Sequence, residues 1–391
     1  TSGAGNLAIG YEAMKTHTTG HSNIAIGYQA MDDTDAGSNS SDSDHNIAIG
    51  RNTMGGTWAN TKSENNIAIG NNSMDSPLDG SHYNITLGHY VLSNITTGDS
   101  NIGIGWAAAE NITTAASNIA IGRQAMQVHE TGGMNIAIGN YAMDDTNAGS
   151  NSLSSTENIF IGPDTGGGTW ADAASNYNIG MGRYVMDAAM NGAEYNIGLG
   201  RYALTTLTEG DYNTALGHNT LGSLTTGDNN VGIGDRAGVQ VTTGDKNVHI
   251  GYLAGYGGNT TGNVAIGAET LFSCAASSNV AVGYQAARYT TANDGVWVGA
   301  SAGTTGTGGG QSVIVGYYAG QQIVGSQVTH VGRQAGQYAT GSYNVFVGDS
   351  AGKGGTTSAP FSSGQNNTAV GKSALTAFTT GGDNTAVGYQ A

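Results

Sequence analysis

The stretch "SNIAIGYQAM", residues 22–31, sets the reading of the whole chain, because its first half is written again and again. "NIAIG" returns at 46–50, 66–70, 118–122 and 135–139, then drifts into "NIGLG", "NVAIG" and "NTAVG", the last at 384–388. Taking the final glycine of each unit as an anchor gives 22 anchors, from Gly10 and Gly27 to Gly371 and Gly388. Their intervals are mostly 16–18 residues, with excursions to 20 and 23. A period near 17 is too short for helical repeats or propeller blades and suits one coil of a β-solenoid. The expected fold is therefore all-β: a parallel β-solenoid, or β-roll, of about 22 coils of 16–23 residues.

A longer period lies over the short one. The interval series 23, 20, 18, 17, 17, 17 that starts at Gly27 recurs from Gly139, an offset of 112 residues. "MDDTDAGSNS" (31–40) matches "MDDTNAGSNS" (143–152), and "GGTWAN" (55–60) matches "GGTWAD" (167–172). A six-coil block has been duplicated, as 27–138 and 139–234. From residue 238 the Met or Leu four residues after the anchor often gives way to Gly, as in "RAG", "LAG" and "YAG". The expected organisation is a solenoid over 1–237 that continues, in Gly-rich coils, over 238–391.

Composition agrees. The 391 residues include 66 Gly and 3 Pro, only 10% are charged, and apolar residues sit in short alternating runs bounded by Gly, Asn, Asp and Thr. Net charge is −16, with no basic stripe to meet phosphates, which argues against nucleic acid or an anionic membrane surface as partner. No apolar run approaches 18 residues, so no membrane insertion is expected. Cys274 is the single cysteine, which excludes an internal disulfide framework and fits a location outside the cell.

Within a unit, alternation sends neighbouring residues to opposite faces. The two Ile of "NIAIG" share one face, and their columns, among them Ile24, Ile26, Ile47, Ile49, Ile67 and Ile69, are expected to form the core. The middle residue is Ala or Gly in 15 of 22 units and is expected to face outward, where a second backbone can approach. The leading Asn is expected to bond its equivalent one coil away. "YQAM" or "RYAL" reads as a second short strand, followed by turns such as "TTGDN" (225–229).

At these residues a resemblance enters. "SNIAIGYQA" and "NTAVGYQA" resemble the head repeat of trimeric autotransporter adhesins, approximately Ser/Asn-x-Ala-Ile-Gly-x-x-Ala, and similar runs occur in phage tail fibres. The resemblance implies a left-handed parallel β-roll with three chains side by side, serving attachment or fibre building.

Enzyme signatures dissolve into the repeat. "GASAG" (299–303) and "GDSAG" (348–352) match a nucleophile elbow, with Ser301 and Ser350, yet each is an anchor followed by a "YQAG" variant. "GIGDRAG" (232–238) imitates a dinucleotide loop with no helix after it. No catalytic residue and no organic cofactor is assigned, and the chain is read as a non-enzyme.

Four other features bear on sites. Asp33, Asp35 and Asn39, and their equivalents Asp145, Asn147 and Asn151, alternate as oxygen ligands of Ca²⁺ do; the competing reading is a solvated acidic loop. Trp58 and Trp170 lie on lengthened coils, either stacked on a sugar or packed against protein. His249 and His330 replace Ala at the middle position, as packed histidines or as ligands of an anion or metal. Seven sequons, at Asn39, Asn71, Asn84, Asn94, Asn111, Asn259 and Asn366, are acceptors for N-glycosylation where the source supplies it.

The functional expectation is an extracellular structural fibre or filament segment on a cell or virion surface, assembling with copies of itself as a trimer or a stacked filament. The stacking expectation comes from the ends: joining residue 391 to residue 1 gives a coil of 13 residues, and an uncapped solenoid exposes strand edges. The alternative is an adhesin or receptor-binding tail fibre that contacts surface glycans. A solenoid polysaccharide-degrading enzyme is a further rival, and no Thr-x-Thr column suggests ice binding.

Overall fold

The computed structural model describes residues 3–34, 39, 42–146, 154–355, 357–358 and 361–391. It is all-β, and among these residues there is no α-helix and hence no helix long and apolar enough to cross a membrane. Each repeat unit forms one three-residue strand, giving 22 strands from β1 (Leu7–Ile9) to β22 (Thr385–Val387). From β1 through the eleventh strand, and again from the twelfth through β22, successive strands pair parallel and in repeat register, so that Ile24 lies beside Ile47, Ala25 beside Ala48 and Ile26 beside Ile49. This is a β-solenoid.

The chain forms two compact units. One comprises Thr1–Arg201 and Thr206–Glu209, the other Tyr202–Thr205 and Gly210–Ala391. The first holds β1 to β11 (Ile197–Leu199), the second β12 (Thr214–Leu216) to β22. At the usual parallel spacing, each unit stacks its eleven strands over about 48 Å.

The direction of the side chains reverses the expectation from alternation. Ala25, Ala48, Ala68 and Ala120 are completely buried, while the flanking Ile24, Ile26, Ile47 and Ile49 are only half-buried. The middle column, not the aliphatic pair, is the interior. One 17-residue coil shows why. Its interior is filled by Ala108, Ala109, Ile112, Ala115, Asn118 and Ala120, all at most 1% exposed. A coil this narrow has space for one modest side chain per position, and the aliphatic pair is left on the outside of the strand.

The expected second strand is also absent. "YQAM" is a run of turns in which Gln29 (φ 51°) and Met31 (φ 52°) are left-handed and the adjacent Ala30 and Met31 are both buried. A third left-handed residue, such as Ser22 (φ 56°), precedes each strand. This conformation costs energy for residues with a Cβ, and it recurs because it turns the N–H groups along the stack. Ser22 N–H reaches Ala4 O at 3.0 Å, Gln29 N–H reaches Tyr11 O at 2.9 Å, and Met31 N–H reaches Thr53 O at 3.1 Å. The anchor glycines have no such choice. A Cβ on Gly27 (φ 144°) would overlap the carbonyl of Gly50 in the next coil.

The asparagine ladder is present as expected. Asn118 donates from its backbone N–H and its Nδ2 to Asn101 Oδ1, at 3.0 and 3.2 Å, and from Nδ2 to Gly132 O at 3.0 Å. Its own Oδ1 accepts the backbone N–H of Asn135 at 2.9 Å and the Nδ2 of Asn135 at 3.2 Å. Asn101, Asn118 and Asn135 are all buried, so the ladder keeps polar groups paired where water cannot reach. Asn118→Ala leaves the Asn135 N–H without its acceptor and is expected to cost about 3 kcal/mol. Thermal unfolding followed by circular dichroism measures it, and a loss under 1 kcal/mol would contradict the ladder's role.

Large middle residues follow a volume rule. Where the middle residue is Ala, the fourth residue after the anchor is Met, Leu or Ala; where it is Phe160, His249, Trp297, Ile314, His330 or Phe346, that residue is Gly166, Gly255, Gly303, Gly320, Gly336 or Gly352. These larger side chains fill the space the missing side chain vacates. An ideal Cβ on Gly166 would sit 3.0 Å from three atoms of the Phe160 ring. The Gly-rich style that becomes frequent after residue 238 is this rule at work.

Candidate interaction surface

Four columns face outward along each strand: the residue before the ladder Asn, the two aliphatic residues, and the residue after the anchor. The aliphatic columns contain Ile, Val, Leu, Met and Thr and no charged residue in any coil. Their exposure reaches 41% at Ile85, 50% at Leu87, 43% at Met181 and 42% at Val313. A β-branched run half in water is what the pleat leaves when the opposite face packs into a narrow roll. Each unit thus presents on the order of 1,000 Å² of contiguous apolar surface, above the few hundred Å² usual for a monomer.

Aromatic and cationic side chains border this strip. Tyr11 stacks on Tyr28 with ring centroids 5.2 Å apart, and Tyr177 on Tyr195 at 4.7 Å and 6°. Arg123 lies over both the Trp106 and Tyr141 rings, at 5.3 and 5.4 Å, and Arg183 over Tyr184 at 4.5 Å. The coil repeat places like residues one strand spacing apart, so the rings ladder along the stack.

The residues singled out from sequence fall elsewhere. Trp58 and Trp170 are fully buried, and their Nε1 atoms donate to Met54 O (3.2 Å) and Gly166 O (3.1 Å). They fill the lengthened coils, Trp170 edge-on to Phe160 at 6.0 Å, and present no face to a sugar. His249 and His330 are interior, since the middle column points inward; burial holds them at about 4 and about 3. His330 stacks on Phe346 at 4.9 Å. They line no outward face on which to take an anion. Ser301 and Ser350 are left-handed turn residues at one position of coils three repeats apart, not elbow nucleophiles before a helix. Cys274 is buried, and burial pushes its thiol up.

Of the calcium candidates, Asp35, Asn147 and Asn151 lie outside the described residues. Asp33 and Asp145 accept hydrogen bonds from the hydroxyls of Thr57 and Thr169, and Asn39 is exposed. Among the described residues no three His, Cys, Asp or Glu side chains are grouped to hold a metal ion. Of the sequons, Asn84 is a buried ladder residue, with its Nδ2 on Asn66 Oδ1 at 3.1 Å and Gly98 O at 2.9 Å, and has no room for a sugar. Asn39, Asn71, Asn94, Asn259 and Asn366 are exposed and Asn111 is half-buried.

Sequence reading missed a pair of acidic notches. Asp32 and Asp75 lean toward Gly55 from the two neighbouring coils, their Oδ1 atoms 3.1 and 3.0 Å from where its Cβ would be. Asp144 and Asp187 do the same at Gly167, at 3.0 and 3.2 Å. Burial raises Asp75 to about 6, Asp144 to about 7 and Asp187 to about 6. The signal was present as Asp, Gly, Asp at one position of three successive coils, in both duplicated blocks.

No protein-family model matches the chain, and no curated protein matches it.

Proposed function

We propose that this chain is a non-catalytic structural segment of an extracellular fibre, on a cell or virion surface, whose copies pack side by side through the aliphatic face. The supporting observation is that face: uncharged in every coil, partly exposed and repeating at one strand spacing. A second copy offers the same ladder at the same spacing, so the match extends along the whole unit. The area is of the order that a stable protein interface uses on each partner, about 800 Å². The contact lies on the aliphatic columns, and the small middle column expected to supply it is internal. Three copies around one axis is the number the adhesin-head resemblance implies. Adhesion through Trp58 and Trp170 loses its basis, because both are interior.

Light scattering on the purified chain tests the reading. The wild type is expected above its 39.4 kDa monomer mass at micromolar concentration. Ile102→Asp with Ile119→Asp, both on half-exposed positions of adjacent coils, is expected to give monomer with unchanged circular dichroism. A wild-type monomer at tens of micromolar overturns it.

A further inference from the structure

The column just after the anchors changes character in the second unit. Over five successive coils it reads Tyr252, Ala268, Tyr284, Ala300 and Tyr317. Those two are the only alanines in that column among the 22 coils; every other coil holds a larger residue there. The five positions adjoin in space. Tyr252 O accepts the Glu269 N–H at 2.8 Å, Ala268 O the Gln285 N–H at 3.0 Å, Tyr284 O the Ser301 N–H at 2.8 Å, and Ala300 O the Tyr318 N–H at 3.2 Å. Beside them the strands from β14 (Val248–Ile250) to β18 (Val313–Val315) pair in unbroken register.

The alternation isolates the rings. Tyr252, Tyr284 and Tyr317 are 47%, 54% and 49% exposed. Among the described residues Tyr252 and Tyr284 stack on no other ring, whereas Tyr11 and Tyr28, on adjoining coils, cover each other. Tyr317 leans on its neighbour Tyr318 at 4.2 Å and 52°. Successive rings stand two strand spacings apart, about 9.6 Å. That is the length of one disaccharide in an extended β-1,4-linked glycan, whose alternate sugars turn the same face to one side. The C–H groups of a sugar face pack on an aromatic ring, while the hydroxyls around it need polar partners. Such partners stand one position further along the chain. Glu269 Oε2 accepts Gln285 Nε2 at 2.9 Å, and both side chains belong to half-buried residues. Glu269 is the one charged residue in these two columns from Tyr252 to Tyr318, and Arg288 neutralises it at 2.8 Å. The row thus suits a neutral glycan and offers no surplus cation to a sulfated or uronic one.

We infer that Tyr252, Tyr284 and Tyr317 form a binding row for a neutral, extended β-1,4-linked glycan lying along the stack, with its first, third and fifth sugars on the three rings. The row needs a single chain, so it goes beyond the side-by-side packing proposed above and does not depend on it. Once one ring is engaged, the other two contacts become intramolecular, and affinity grows with glycan length until all three rings are covered.

Isothermal titration calorimetry with β-1,4-linked oligosaccharides of glucose and of N-acetylglucosamine tests it. In the series that binds, the pentasaccharide is expected to bind about tenfold more tightly than the trisaccharide, with little further gain at the hexasaccharide. Maltohexaose, whose α-1,4 linkages curl the chain, is expected to bind about tenfold more weakly than the β-linked hexasaccharide. Tyr284→Ala removes the central ring and is expected to weaken pentasaccharide binding about tenfold, with unchanged circular dichroism, because the side chain is exposed. Spacing is read separately from ring number in Tyr284→Ala with Ala268→Tyr, which keeps three rings in the column but sets them one and three coils apart. That variant is expected to bind no better than Tyr284→Ala alone, since rings on adjoining coils cover each other as Tyr11 and Tyr28 do. No binding of either β-1,4 series at millimolar ligand, affinity that stops rising at the trisaccharide, or full affinity in the moved-ring variant overturns the row. The light-scattering experiment tests the packing face independently, so either reading can fail without the other.

Discussion

Gly166→Met in the ninth coil is expected to destabilise the first unit by 3 kcal/mol or more on the order-of-magnitude scale of overpacked cores, and Phe160→Ala by about 3–5 kcal/mol. Together they are expected to return to within about 1–2 kcal/mol of wild type. The reason is written in the duplication. Positions 48 and 54 in the first block hold Ala and Met; their equivalents 160 and 166, one 112-residue offset on, hold Phe and Gly. A side chain on Gly166 must pass the Phe160 ring, three of whose atoms are 3.0 Å from the Cβ position. The next coil has adapted too. Gly180 stands where the first block has Ala68, and a Cβ there would lie 2.5 Å from Phe160 Cδ1. The backbone accepts Met at 166, since Met54 adopts φ 50° at the equivalent position and Gly166 has φ 62°. The cycle is measured by chemical unfolding of wild type, both single variants and the double. A coupling below 1 kcal/mol would mean that the two residues do not share one volume. Adding Gly180→Ala to the double variant restores the first block's full set and is expected to be neutral.

The same pair shows what the sequence made legible. Period, strand position, register and the asparagine ladder were all readable, because each is fixed by a residue that repeats with little variation: the anchor Gly and the leading Asn. The face that packs inward was not read correctly. Assigning Ile24 and Ile26 to the core followed from apolar character alone, and Ala25 was sent outside for being small. A coil with one strand has an interior too narrow for two Ile per level beside Met31, so the small residue goes in. The discriminating signal was the reciprocal change at 48/54 and 160/166. Outward residues need not trade volume with each other across six positions; interior ones must.

The site followed the same error. Once the middle column is internal, His249, His330 and the lengthened-coil tryptophans become packing residues, and the aliphatic columns become the partly exposed apolar surface. "YQAM" looked like a strand because it is apolar, but consecutive burial of Ala30 and Met31 is a turn's signature, not a pleat's. Exposed Arg and Tyr after the anchors were legible only as single residues. Their alignment into an edge needed the register.

His249→Phe with His330→Phe is expected to stabilise the second unit increasingly as pH falls. Both rings are buried in the middle column, and neither His330 nitrogen, nor His249 Nδ1, has a hydrogen-bond partner. Burial disfavours the imidazolium, so the folded pKa values, about 4 for His249 and about 3 for His330, lie below the usual 6.5. A depressed base contributes full stability above its unfolded pKa and loses it as pH falls toward the folded value, because the unfolded chain binds the proton first. The window is therefore pH 6.5 to about 3. At about 1.4 kcal/mol per pKa unit, the two histidines together cost the wild type about 6 kcal/mol by pH 4. Phe fits the slot, since Phe160 and Phe346 occupy it opposite Gly166 and Gly352 as the histidines do opposite Gly255 and Gly336. Asp75, Asp144 and Asp187 act in the opposite sense: raised acids favour the folded state at low pH and lose that contribution as pH rises through about 6 to 7. They are common to both proteins and cancel in the comparison. The expected result is a gain in melting temperature at pH 8 from relieving the unpartnered nitrogens, growing severalfold between pH 6.5 and pH 4. A gain that stays constant across that interval would show that the rings titrate in the folded protein as they do in water, and that the middle column is not sealed.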